Sequence, residues 1–493
     1  MIALFKFSDH IQDKPPSGRW LVLFCLIYPL LFFPGSLLSR PNVIDETVVF
    51  AIVENYLLLP KLLGLVLFAV LGFLDTKKYW KLEAFTILFT LHLILVLLSS
   101  LNARDTWTYN LLGPDRRFDG VLYQIFLSVL ALNAFYTIKN NFSLIKQIGF
   151  CLLLSCCIQT VLLLFQRFGF DPIGYLVYIK PLSIPAGTMT HPGILAAWLL
   201  PSLVLAFFLF SCVKRRYLTV YVFGLIFASA GLAFTGNRTS IYILLFFLLI
   251  WVILERKIQV LLLFLITGLT IIIAPFTPKT ASIESPDVLS TRTLETRIKI
   301  WDLALKLMPQ IPNFPLLGGG PDAMRLALLR DPPVDKYIKL DLMESGLDNY
   351  KIRSSTYVPG QTIRESTFKI DFVYLDNEQN VIQNRAIYLD KAHNLFLDRL
   401  ISFGIFGALI WMLIYCVPLT FLFRKQQLKL QDTNFSPLIY AVLATIISIV
   451  GYYTLWFPVI QAEPLHLIIV SMGWAIVVSQ RQGKQKDELS PLA

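Results

Sequence analysis

Two kinds of residue in this chain have types and spacing suited to chemistry. The first is His393, in the stretch Ala392-His393-Asn394-Leu395, where a long polar segment ends and an apolar run begins. A histidine at such a join can titrate near neutral pH and face a polar space while anchored on a rigid helix. It suits a general base toward a hydroxyl or a ligand for an anion. The second is a set of arginines and a lysine that recur on the same side as that polar segment: Arg40, Arg104, Arg116, Arg117, Arg167, Lys180, Arg238 and Arg399. Arginine stays charged and binds phosphate oxygens in a bidentate fork, so the set suits an anionic, lipid-linked substrate. Taken singly, each also suits headgroup binding and snorkelling.

The elements that must position these groups are membrane spans. Of 493 residues, 56% are hydrophobic, far above a soluble globular chain. Apolar runs long enough to cross a bilayer recur from end to end. They lack the alternation of a β-barrel. Twelve spans are expected, at about 20–38, 48–74, 84–101, 121–137, 147–166, 191–211, 218–234, 239–254, 258–275, 395–423, 436–456 and 464–480. The fold class expected is an all-α polytopic membrane protein, divided into a bundle of spans 1–9 (residues 1–276), a loop domain (277–392), and spans 10–12 with a tail (393–493).

Basic residues orient the bundle. Lys77, Lys78, Lys139, Lys146, Lys214, Arg215, Arg216, Arg256 and Lys257 gather on one side, with Arg424, Lys425, Arg481 and Lys484. That side is expected to be cytoplasmic, with both termini. The long loop then lies outside a bacterial cytoplasmic membrane, in the periplasm or beyond. The net charge of +11 is spread along membrane edges, so membrane lipids and not nucleic acid are the expected partners. The six cysteines lie within or beside apolar runs, at spacings that suit no metal site, and read as packing residues.

Within the loop, residues 291–308 read as an amphipathic helix with Ile298, Trp301, Leu305 and Met308 on one face. Arg297 lies one turn before Trp301, so the pair is placed to bind sugar and phosphate together, or else to pack the loop onto the membrane. Phe368, Ile370, Phe372 and Tyr374 alternate as in a strand, which Asn377 to Asn380 would turn back into a second strand through Ile387 and Leu389.

Four segments together resemble the O-antigen ligase and O-antigen polymerase family of membrane glycosyltransferases. They are Gly113-Pro-Asp-Arg-Arg117-Phe-Asp-Gly120; Thr235-Gly-Asn-Arg238-Thr-Ser240; Arg297-Ile-Lys-Ile-Trp301-Asp-Leu-Ala304 with Pro315-Leu-Leu-Gly318-Gly-Gly320; and His393-Asn394-Leu-Phe-Leu397 with Gly404 and Gly407. Asn237 stands where the family has Ser, and His191-Pro192 where it often has Asn-Pro. The resemblance implies a GT-C-type fold that needs no metal or other cofactor. It implies a donor glycan on a polyprenyl diphosphate such as undecaprenyl diphosphate. Arg238 and His393 would be catalytic, and Arg116, Arg117, Arg297, Trp301, Asn394 and His191 would bind the diphosphate or glycan. The acceptor would be lipid A–core, a protein hydroxyl or another lipid-linked repeat. A transporter or flippase is the alternative of another class. Structural roles are open for each residue: Arg117 as partner of Asp115 or Asp119, Asn394 as the cap of the tenth span, and His191 as the cap of the sixth.

Overall fold

The computed structural model describes residues 16–33, 46–102, 107–113, 117–173, 185–189, 191–276, 292–311, 314–321, 323–330, 350–358, 367–374, 380–386, 391–427, 436–456 and 458–489. Its helices are α1 (Arg19–Ile27), α2 (Glu46–Thr76), α3 (Ala84–Asn102), α4 (Trp107–Leu112), α5 (Val121–Asn140), α6 (Leu144–Arg167), α7 (Pro192–Leu209), α8 (Leu218–Phe234), α9 (Arg238–Glu255), α10 (Ile258–Ile273), α11 (Arg292–Leu307), α12 (Ala323–Arg330), α13 (Leu395–Gln427), α14 (Ser436–Tyr453) and α15 (Glu463–Leu489). Among the described residues, nine helices are long and apolar enough to cross a membrane. Three shorter apolar helices, Arg19–Leu30, Pro437–Tyr453 and Glu463–Ser479, stand where the first, eleventh and twelfth spans are expected. The chain is thus built as a polytopic membrane protein. All six cysteines are free.

Beside its helices the loop holds a sheet, one strand larger than the pair expected there. It carries β1 (Tyr350–Val358), β2 (Thr367–Tyr374) and β3 (Asn380–Ala386), paired in that order as an antiparallel meander. Phe368 faces Tyr357 on one side and Arg385 on the other. The alternation at 368–374 is therefore a central strand with two partners. The expected return strand through Ile387 and Leu389 falls instead at 380–386, and residues 387–390 lie outside the described residues. The buried face of α11 is Arg297, Ile300, Ala304, Leu307 and the following Met308, while Ile298 and Leu305 are exposed. The stripe expected on that helix is rotated, because the small Ala304 rather than Leu305 meets the bundle.

At the centre of the bundle all 18 residues of α7 are buried. It packs against α14, α6, α9 and α8. Pro201 interrupts it and deprives the Ala197 carbonyl of its helical donor. His466 of α15 supplies the replacement, its Nε2 donating to that carbonyl at 2.8 Å while Nδ1 meets the Tyr453 hydroxyl at 2.5 Å. The same arrangement recurs in α13. Pro418 frees the Ile414 carbonyl, and the Trp474 indole of α15 donates to it at 2.8 Å. Each proline is made tolerable by a donor from the same neighbouring helix.

A third interruption is larger. Gly404 breaks α13 with φ 69° and ψ −171°, a conformation nearly confined to glycine. The Pro315–Gly320 turn of the loop fills the break. Gly319 and Gly320 donate to the Ile401 and Ser402 carbonyls at 3.1 and 2.9 Å, and Ile405 N donates to the Pro315 carbonyl at 2.7 Å. Gly318 and Gly404 let the two backbones touch: a Cβ on Gly404 would lie 2.1 Å from the Leu316 carbonyl oxygen. Gly404→Ala should therefore destabilise the fold by at least about 2 kcal/mol. Thermal unfolding followed by size-exclusion chromatography in detergent tests this, and an unchanged midpoint would show that the loop is not keyed into the helix.

Candidate functional site

The starts of α5, α7, α9, α13 and α15 and the end of α14 lie at one end of the bundle, beside the loop. Of these, α5, α7, α9 and α13 start where the sequence supplies a cap or a glycine turn. Asn237 caps α9, its carboxamide oxygen accepting from Ser240 N at 3.0 Å. His191 caps α7, its Nδ1 accepting from Gly193 N at 3.0 Å, with Pro192 at the first helical position. Asn394 caps α13, accepting from Phe396 N at 3.0 Å and Leu397 N at 3.1 Å. Its amide nitrogen donates to the Thr454 carbonyl at 3.0 Å, fastening α13 to the end of α14. Asn394 is thus a structural residue, and its carboxamide is engaged by protein rather than turned to a ligand. Before α5, the backbones at Gly113 and Gly120 touch, so a Cβ on either would meet the other's nitrogen at 2.5 Å or less.

These caps converge on Trp456, in the connection from α14 to α15. Its indole stacks on the His191 ring at 5.7 Å between centroids and meets the His393 ring edge-on, also at 5.7 Å. The Arg297 guanidinium lies 5.1 Å from the same ring. Gly193 makes room for the indole, since a Cβ there would lie 2.8 Å from it. Tyr452 stands 6.3 Å from Trp456, donates to the Gly193 carbonyl at 2.6 Å and meets the Asn237 amide at 3.4 Å. One chain of contacts so runs from the turn that bears Arg238 to the two histidines.

The electrostatics are those of a site crowded with cations. Burial, then Arg297 and Arg117, hold His393 well below the usual histidine pKa, against the opposing pull of the Lys391 carbonyl. Part of His191 reaches the surface, yet the protein around it, then Arg297 and Arg117, lower its pKa to about 4. Both imidazoles are neutral at pH 7. His393 also holds a left-handed backbone, φ 53°, which is uncommon for a residue with a side chain.

Of the residues singled out in the sequence, His393, Arg117, Arg297 and His191 come together. Arg238 opens α9, next to Asn237, half-buried at the same end of the bundle. The ring over which Arg297 lies is that of Trp456 and not of Trp301, because Arg297 is on the buried face of α11 whereas Trp301 is only partly buried. Arg116 lies outside the described residues. Arg167 is a structural residue: it donates to the Pro275 carbonyl at 2.6 Å and stands over Phe234. Arg399 pairs with Glu463. Asp119, one of the two partners expected for Arg117, goes instead to Lys391, at 2.5 Å. Sequence reasoning missed Trp456 and Tyr452. A tryptophan at the end of a span reads as an interfacial aromatic, and nothing local marks it otherwise.

Fold and site together define a membrane-type helical bundle whose loop end holds two neutral histidines among arginines around one indole. No model of a known protein family matches the chain, and no curated protein does. Among the described residues no group of three or more His, Cys, Asp or Glu could hold a metal ion.

The low pKa of His191 has a measurable consequence. The unfolded chain takes up this proton near pH 6.5, the folded protein only near 4. Stability from His191 is complete above pH 6.5 and is lost as pH falls toward 4. Arg297→Gln should move the titrations of both His191 and His393 upward, read from ¹³C signals of labelled histidine in detergent. Unmoved midpoints would mean that Arg297 does not supply the field.

Proposed function

We propose that this protein is a polytopic glycosyltransferase of the cytoplasmic membrane, which transfers a glycan en bloc from undecaprenyl diphosphate to an acceptor hydroxyl outside the cytoplasm. The observation that carries the reading is the gathering of Arg297, His191 and His393 around Trp456, with Arg117 near enough to act on both imidazoles, at the end of the bundle where the loop inserts. The resemblance to the O-antigen ligase and polymerase family supports it further, and lipid A–core is the leading acceptor.

The chemistry needs two things from the protein. The acceptor oxygen forms a bond to sugar C1 while the bond from C1 to the diphosphate oxygen breaks, and the electron pair leaves with the diphosphate. Fixed cations stabilise that charge, the role of Arg117, Arg297 and Arg238. The acceptor hydroxyl loses its proton, and His393 takes it. A neutral imidazole can accept a proton, and the arginines that keep it neutral are the groups that the donor diphosphate would screen. Donor binding therefore raises the basicity of His393 when a base is needed. Attack from the face opposite the leaving group inverts the anomeric configuration. His393 serves better as the base than as a phosphate-binding cation, because it carries no charge before the donor arrives.

His393→Ala and Arg238→Ala proteins, correctly inserted, should each lose about 10²-fold or more of the transfer rate. The assay is transfer of labelled glycan from undecaprenyl diphosphate in proteoliposomes. Transfer at the wild-type rate in both would overturn the assignment. Passage of the donor across the bilayer with its linkage intact would point to a flippase instead.

A further inference from the structure

Beneath the proposed site lies a second cluster, and its most connected member is Lys391. The side chain is almost wholly buried, and its ammonium donates to Asp119 at 2.5 Å and to the Pro321 carbonyl at 3.0 Å. It stands two residues before His393, directly before the Ala392 amide. Lys391 so joins three segments that are far apart in sequence. Asp119 lies two residues after Arg117, on a turn held by the positive φ of Phe118. Pro321 ends the glycine turn that follows α11, the helix of Arg297. Lys391 itself begins the turn of His393. Each segment bears or follows a group of the proposed site.

The surroundings keep this junction rigid. The Asp398 carboxylate accepts from Ala392 N at 2.6 Å, directly before His393. The next residue, Arg399, pairs with Glu463 and lies 4.1 Å over Trp411, and Tyr123 donates to Glu463 at 2.9 Å. The residues enclose a space of about 10 Å³, room for about one water. Buried ion pairs of this kind contribute little net stability compared with apolar packing, but they fix geometry, since each charge tolerates few positions.

We propose that Lys391 is a positioning residue, a three-way clamp that holds the turn of His393 against the turn of Arg117 and the glycine turn after α11. The catalytic consequence rests on the glycosyltransferase reading, whereas the clamp itself does not.

The test removes both charges together, so that no buried charge is left unpaired. Lys391→Met/Asp119→Leu is compared with wild type by thermal unfolding, by ¹³C signals of labelled histidine, and by glycan transfer in proteoliposomes. The His393 signal is assigned by its loss in His393→Gln. The double variant should unfold within a few degrees of wild type. Its His393 signal should be displaced or split, and kcat for transfer should fall about tenfold or more, while the single Lys391→Met variant is markedly less stable. A His393 signal unmoved in the folded double variant would overturn the clamp, whatever the transfer rate. If the wild type itself transfers no glycan, the glycosyltransferase reading fails, and the histidine signal still decides the clamp.

Discussion

A backbone polar group facing hydrocarbon has no water to bond, so every interruption of a membrane helix must be answered from within the protein. The organisation of this chain follows from that requirement. Three of these interruptions are answered in two ways, by a side-chain donor or by a backbone turn. His466 covers the carbonyl freed by Pro201, Trp474 covers the one freed by Pro418, and the loop's glycine turn covers the break at Gly404. The first two come from α15, which is therefore a supplier of donors to α7 and α13 as well as a span. The third couples a polar domain to a membrane helix through backbone contacts that leave no room for a Cβ.

The same economy shapes the polar end of the bundle. Buried arginines there do three kinds of work. Arg167 ties the end of α6 to the end of α10, and Arg399 neutralises Glu463 inside the bundle. Arg297 and Arg117 add their field to burial, and together these lower the pKa of two imidazoles. The histidines add no charge that would compete, and the indole between them keeps the rings apart at fixed angles.

Much of this was legible in the sequence, in proportion to how local each signal is. Apolar runs place helices at every expected span because length and hydropathy suffice, and the run at 395–423 is the helix Leu395–Phe423. Caps are legible for the same reason: His191 before Pro192, Asn237 before Arg238 and Asn394 before Leu395 act within three residues of themselves. The alternation at 368–374 reveals a strand but not that it has two neighbours, since strand β1 offers no equally clear pattern. Partners across long separations are not legible. Arg297 and Trp301 share a spacing that suggests a pair, yet packing gives the arginine to a tryptophan 159 residues away. Likewise Asp119 is the neighbour of Arg117 in sequence and the partner of Lys391 in space.

The filling of the Gly404 break also fixes an order of events during synthesis. The turn that fills it, residues 315–320, leaves the ribosome before the helix that it interrupts. Its partner segment, 401–405, arrives some eighty residues later, after the strands of the loop. The helix can therefore enter the bilayer with its missing donors already waiting at the surface. Without the loop, the Ile401 and Ser402 carbonyls would be left to the amides of Ile405 and Phe406, which would straighten the span. The shape of this helix is thus written partly in a turn that precedes it in the chain.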